Sequence, residues 1–230
     1  MKKNAPALFL YVYLAFVAGD LIADWSSSFF GNLIFKPLLA GSLLVYLLVS
    51  RENKRPASGF AMLGLFLSWI GDCLLIFQER NQLFFIGGLL SFLIAHIFYI
   101  AYYIRSSSAQ AEKKLPGKGV CLFLIMCYGI GFGFLLNDHL GPLKVPVFAY
   151  ASVLVLMNCF ALLRFGKVDR RSFQLAMAGA LLFAVSDGLL AVNKFVTTLP
   201  HAGLWIMSTY AAAQYLITQS VFIPTLAKKD

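Results

Sequence analysis

The chain has 230 residues, 60% of them hydrophobic and only 13% charged, where a water-soluble domain carries about 25%. Apolar runs of spanning length recur from end to end, which excludes a soluble globular domain; the absence of short alternating segments excludes a β-barrel. The net charge of +9 does not point to nucleic acid, because the basic residues gather in alternate connections between the apolar runs.

Eight transmembrane helices are predicted, at about 5–25, 31–50, 58–78, 82–104, 118–136, 143–165, 172–195 and 202–226. They make residues 1–230 a single integral-membrane domain, an all-α polytopic bundle. The first run follows Lys2 and Lys3, as a signal peptide would. It is too long for such a segment, carries Asp20 and Asp24, and leads straight into the next run, so it is expected to remain as a helix. Asp20 and Asp24 are expected near the outer boundary, close to water. Span 2 opens with Lys36 and Pro37, span 3 carries Asp72, and span 4 carries His96, Tyr99 and Tyr103 on one stripe. Span 7 carries Asp187 and closes on Asn193 and Lys194; span 8 carries Tyr210 and Gln214 at i, i+4.

Fifteen of the 19 Lys and Arg lie at the two ends and in 51–55, 105–118 and 164–171; the alternate connections hold only Lys36, Arg80, Lys144 and Lys194. The positive-inside rule therefore predicts both termini in the cytoplasm, which requires an even number of spans and, in a bacterial cell, an inner-membrane location. The four cysteines (Cys73, Cys121, Cys127, Cys159) all lie within spans without CxxC spacing and read as small apolar core residues. Of three histidines, His139 and His201 fall in connections, and neither a metal motif nor a phosphate loop occurs. No metal and no cofactor is expected.

The two aspartates within spans 3 and 7 carry the most information. Asp72 sits in Phe66-Leu67-Ser68-Trp69-Ile70-Gly71-Asp72-Cys73-Leu74-Leu75, and Asp187 in Leu181-Leu182-Phe183-Ala184-Val185-Ser186-Asp187-Gly188-Leu189-Leu190. A charged group at this depth costs roughly 2.5–3.5 kcal/mol on insertion scales, so such residues mark functional sites by default. The two lie 115 positions apart, and the same offset aligns Ala61-Met62 with Ala176-Met177, Gly64 with Gly179, and Gly88-Leu89 with Gly203-Leu204. This predicts a parallel 4+4 duplication, with half-repeats at about 1–115 and 116–230. Both carboxylates would then lie at one depth in the outer half, facing each other across a cavity.

Other polar residues converge on that layer. Lys36, Asn193 and Lys194 stand at its outer side, with Lys194 seven residues after Asp187 and hence on its helix face. Lys36 and Lys194 equally suit snorkelling to the interface. Tyr103 suits an aromatic belt. Tyr99, Tyr210 and Gln214 equally suit plain interhelical hydrogen bonds, and His96 a structural role.

The chain resembles the YhhN-like lysoplasmalogenases, integral-membrane alkenyl-ether hydrolases. The resemblance runs from Lys36-Pro37-Leu38 to Gln214. It rests on Gly71-Asp72-x-Leu74-Leu75, Ala95-His96-x-x-Tyr99, Gly179 to Asp187, Ala191-Val192-Asn193-Lys194-Phe195, and Ser208-Thr209-Tyr210-Ala211-Ala212-Ala213-Gln214. It implies hydrolysis of the sn-1 vinyl ether of a lysoplasmalogen, a lysophospholipid drawn from the membrane. The products are a fatty aldehyde and a glycerophospho-ethanolamine or -choline. The implied catalytic residues are Asp72 and Asp187, with Lys36, His96, Tyr99, Asn193, Lys194, Tyr210 and Gln214 around the substrate.

Two carboxyl groups suit that chemistry. A vinyl ether is cleaved by protonation at carbon, giving an oxocarbenium ion that water captures. Burial and a second carboxylate both favour a protonated acid near neutral pH, and a coupled pair divides the roles of acid and anion. Lys36 or Lys194 would hold the phosphate, with the alkenyl chain in an apolar slot between helices. Lys194 near Asp187 would favour its ionised form, so the sequence favours Asp72 as the acid. The alternative is a proton-coupled lipid or small-molecule transporter using the same aspartates. Against it, Pro37 has no proline counterpart at Ser152, so the halves lack matching broken helices.

Overall fold

The structure, a computed structural model, describes residues 5–50, 57–108 and 114–223. The two ends, the basic cluster 51–55 and the last residues of predicted span 8 lie outside the described residues. Among those described are eight long helices and no strand: α1 (Ala5–Trp25), α2 (Phe29–Val49), α3 (Ser58–Leu75), α4 (Gln82–Arg105), α5 (Lys118–Leu136), α6 (Lys144–Leu162), α7 (Arg170–Ala191) and α8 (Ala202–Phe222). A π-helical turn, Val192–Val196, continues α7. Each predicted span meets one helix.

The helix starts follow from local chemistry. Ser28, Asn81 and Asp169 cap α2, α4 and α7 by accepting backbone N–H bonds from Gly31, Leu83, and Arg171 and Ser172. Among the described residues, seven helices are long and apolar enough to cross a membrane by length and composition. α8 falls short in apolarity because it carries Gln214, Thr218 and Ser220. These side chains are buried against protein, where polarity is satisfied by neighbouring helices.

α3 with α4, and α7 with α8, form the two tightest helix pairs. Glycine permits both. A Cβ on Gly64 would stand 3.1 Å from the Ala95 carbonyl and 2.8 Å from the Tyr99 ring; one on Gly179 would stand 3.0 Å from the Ala213 carbonyl and 2.7 Å from Ile217. Backbones in lipid approach this closely only across small residues. The two glycines lie 115 positions apart. So do the members of two bonded pairs, Tyr99–Gln214 and Glu79–Lys194. α5 is the outlier. It packs on α6 and on the π-helical turn, and most of its side chains are exposed.

Four expectations require correction. Asp20 is not close to water: it is 1% exposed, because α8 covers that face of α1. Tyr103 is no belt residue, since it is fully buried with its ring under the Arg164 guanidinium at 5.1 Å. Arg164 itself leaves its basic connection for the interior. It donates to Ser172 Oγ at 3.1 Å and lies over Tyr102 and Tyr103, whose π-faces receive its charge. The cysteines are not core residues: Cys127 is exposed and the other three are half-buried.

Overpacking a close helix crossing costs typically 1–3 kcal/mol. Gly179→Val should therefore lower the thermal midpoint of the purified protein in detergent. Gly131→Ala, where a Cβ meets nothing within 4 Å, should hold or raise it, since helical Gly costs about 0.5–1 kcal/mol against Ala. Thermal unfolding of the two variants side by side checks both signs.

Candidate active site

Asp72 stands one turn before the end of α3, and Asp187 one turn before the end of α7. Both line one cavity of about 370 Å³ at that end of the bundle. Each carboxylate takes a hydrogen bond from a tyrosine of another helix. Tyr210 on α8 donates to Asp72 Oδ2 at 2.7 Å, and Tyr150 on α6 donates to Asp187 Oδ2 at 2.5 Å. No hydrogen bond between described side chains occupies the second oxygen of either group.

The Asp72 bond is backed by a chain of donors. Tyr99 donates to Gln214 Oε1 at 2.7 Å, and Gln214 Nε2 donates to the Tyr210 hydroxyl at 3.1 Å. Tyr210 passes the direction on to the carboxylate. The chain links α4, α8 and α3, and every member is buried. Phe92 and Phe183 pack edge-on against the Tyr210 ring with centroids at 5.8 and 5.5 Å, which fixes its tilt.

The predicted residues sort into four groups. Asp72, Asp187, Lys36, Asn193 and Tyr210 line the cavity. Tyr99 and Gln214 stand behind Tyr210. His96 lies off the cavity, fully buried against the rings of Phe183 and Tyr150 at 4.6 and 5.3 Å, with neither nitrogen hydrogen-bonded. Lys194 departs from the expected position. The π-helical turn rotates it off the Asp187 face, and its Nζ meets Glu79 at 2.8 Å across the mouth. The face argument assumed regular α-helix through Lys194, and the wider turn breaks that register.

Among the described residues Lys36 remains as the cation lining the cavity, 4.0 Å from Asp24 Oδ1. Asn193 accepts from the Leu199 backbone at 2.9 Å and so ties the loop before α8 to the rim. Sequence reasoning missed Tyr150 and discounted Asp24, which also lines the cavity. The one signal for Tyr150 was a hydroxyl in the middle of an apolar span. Only the packing of α6 on α7 gives it a partner. Among the described residues, no three His, Cys, Asp or Glu side chains form a metal-holding group.

These features define a polytopic helical membrane protein with a paired-carboxylate chamber at one end. The chain belongs to the YhhN family, whose model matches residues 31–221. Human lysoplasmalogenase TMEM86B is 35% identical over 179 residues, 76% of this chain and 70% of its own. Bovine lysoplasmalogenase TMEM86A is 33% identical over 168 residues, 72% of this chain and 66% of its own. A lysoplasmalogenase of Mycobacterium tuberculosis is 29% identical over 222 residues, 92% of this chain and 78% of its own. No solved structure matches the chain.

Proposed function

We infer that this chain is a lysoplasmalogenase, hydrolysing the sn-1 vinyl ether of a lysoplasmalogen to a fatty aldehyde and a glycerophospho-ethanolamine or -choline. The family and the named relatives support the reaction class. The observation that carries the mechanism is the shared lining: Asp72 and Asp187, from two helices, border one chamber with one oxygen each free.

In the proposed cycle one aspartate is protonated and the other ionised. The acid gives its proton to the chain-side vinyl carbon, and the π electrons form the new C–H bond. The resulting oxocarbenium ion is stabilised by the second carboxylate. Water adds to it and leaves a proton on that carboxylate. The hemiacetal then collapses: its hydroxyl proton returns to the first aspartate, and the second protonates the departing glycerol oxygen. Both groups are reset, and one water is consumed. Tyr150 and Tyr210 fix the orientation of each carboxylate throughout. Lys36 holds the phosphate at the chamber mouth.

We further propose that the two helix quartets are a parallel duplication, which the contacts between positions 115 apart support. The chamber end would face away from the cytoplasm in a bacterial inner membrane, with both termini inside. The described basic residues Lys118, Lys167, Arg170 and Arg171 lie at the opposite end of the bundle.

Asp72→Asn and Asp187→Asn should each lower kcat by roughly 10²-fold or more, the scale of general acid–base help. The losses should not add, because the pair works as a unit. The wild-type pH–rate profile should be bell-shaped, with both limbs belonging to the pair. Aldehyde release from purified, folded variants is the measurement, and near-normal turnover in both single variants would sink the mechanism.

The two lysines should behave differently. Lys36→Met should mainly raise KM, whereas Lys194→Met, whose charge is spent on Glu79, should leave KM near wild type. Equal KM effects would return the phosphate to both. Topology has its own check: in a background with the native cysteines replaced, single cysteines at Asn81 and His201 should be labelled by an impermeant reagent from outside intact cells. Labelling only after permeabilisation would invert the orientation.

A further inference from the structure

A second cavity of about 370 Å³ lies between α5, α6 and α7, and its walls are almost wholly apolar. It shares four lining residues with the chamber: Val147, Tyr150, Asp187 and Ala191. Asp72 belongs to the chamber alone. The Asp187–Tyr150 pair therefore stands at the junction of a polar space and an apolar one. The slot exists because α5 packs on α6 and stands off from α7, to which Tyr128 ties it by donating to the Ala184 carbonyl at 3.4 Å. Away from the junction the slot follows α7 from Asp187 to Leu181 and α6 from Tyr150 to Asn158, about 9 and 12 Å at the helical rise. Its flank is open: Leu124, Leu181 and Val185 are 59%, 47% and 46% exposed.

We propose that this slot seats the alkenyl chain of the substrate, and that Asp187 is consequently the group that protonates the vinyl ether. The proposal rests on the lysoplasmalogenase reading and deepens it. A lysoplasmalogen is polar at one end and a hydrocarbon chain at the other, with the vinyl ether at the boundary. The two cavities offer that division, and Asp187 stands where they meet. With the head group in the chamber and the chain in the slot, the ether oxygen points toward Asp72 and the chain-side carbon toward the Asp187 side. That carbon receives the proton. Asp187 loses it to the new C–H bond, and Asp72 takes the proton of the adding water. This reverses the roles that Lys194 suggested, and Lys194 is engaged with Glu79 instead. The open flank between α5 and α7 lets a chain longer than the slot continue into the bilayer, and lets substrate enter sideways.

A saturated 1-O-alkyl lysophospholipid with a diazirine midway along its chain tests the seat without turnover, because a saturated ether has no carbon to protonate. After irradiation of the full-length protein in micelles, adducts should fall on α5, α6 and α7 peptides lining the slot and be displaced by unmodified lysoplasmalogen. Adducts on other helices, or adducts that substrate does not displace, would overturn the seat even if the enzyme is active. Narrowing the flank with Val185→Trp should lower the ratio of kcat/KM for a hexadecenyl over a hexenyl substrate by about tenfold or more, since each buried methylene is worth about 0.8 kcal/mol. An unchanged ratio would count against the slot. For the acid, small carboxylic acids should rescue Asp187→Asn in proportion to their neutral form, and Asp72→Asn in proportion to their anion. The opposite pattern would exchange the roles while leaving the paired mechanism standing.

Discussion

Asp72 and Asp187 are each held by a tyrosine from a different helix, and the geometry of the chamber depends on those two bonds. A carboxyl group at membrane depth loses several kcal/mol of hydration unless protein supplies the missing partner. Tyr210 supplies it for Asp72 only when α8 packs on α3, and Tyr150 supplies it for Asp187 only when α6 packs on α7. The chamber is therefore not an addition to a finished bundle. Closing the bundle and orienting the carboxylates are one event, and loosening either helix contact disturbs both.

The two carboxylate sites solve the same problem unequally. Asp72 is buried behind a directional chain of Tyr99, Gln214 and Tyr210 that reaches back to α4. Asp187 has a single tyrosine and an apolar slot beside it. Two like carboxylates in similar local sequence thus acquire different surroundings. A coupled pair needs such inequality if one member is to give a proton while the other stays ionised. The inequality comes from α5, which stands off from α7 and leaves the slot open.

Charge is handled differently at the two ends of the bundle. At the chamber mouth Lys194 and Glu79 form a surface pair, and Lys36 stands loosely beside Asp24. At 4.0 Å the Lys36–Asp24 contact is long for an ion pair, which suits the phosphate-holding role proposed for Lys36. At the opposite end Arg164 is sunk among Tyr102, Tyr103 and Ser172, and Ser172 in turn donates to the Ser220 carbonyl, so the ends of α4, α7 and α8 meet around it. One end is fixed and the other holds the cavity.

The sequence by itself determined the number of the long helices among the described residues and placed their limits to within about four residues, because hydrophobic length is a local property. It also singled out Asp72 and Asp187 as candidates for the site, because a carboxylate amid apolar residues is costly wherever the helix goes. The tertiary structure decided what those residues touch. Tyr150 as partner of Asp187, the burial of Asp20 and Tyr103, and the slot along α5 all depend on which helix lies beside which, and apolar faces pair with little sequence preference. Lys194 shows how local the limit can be: one π-helical turn after Ala191 moved it from the Asp187 face to Glu79. A helical wheel assumes one periodicity, and a single wide turn changes every direction beyond it.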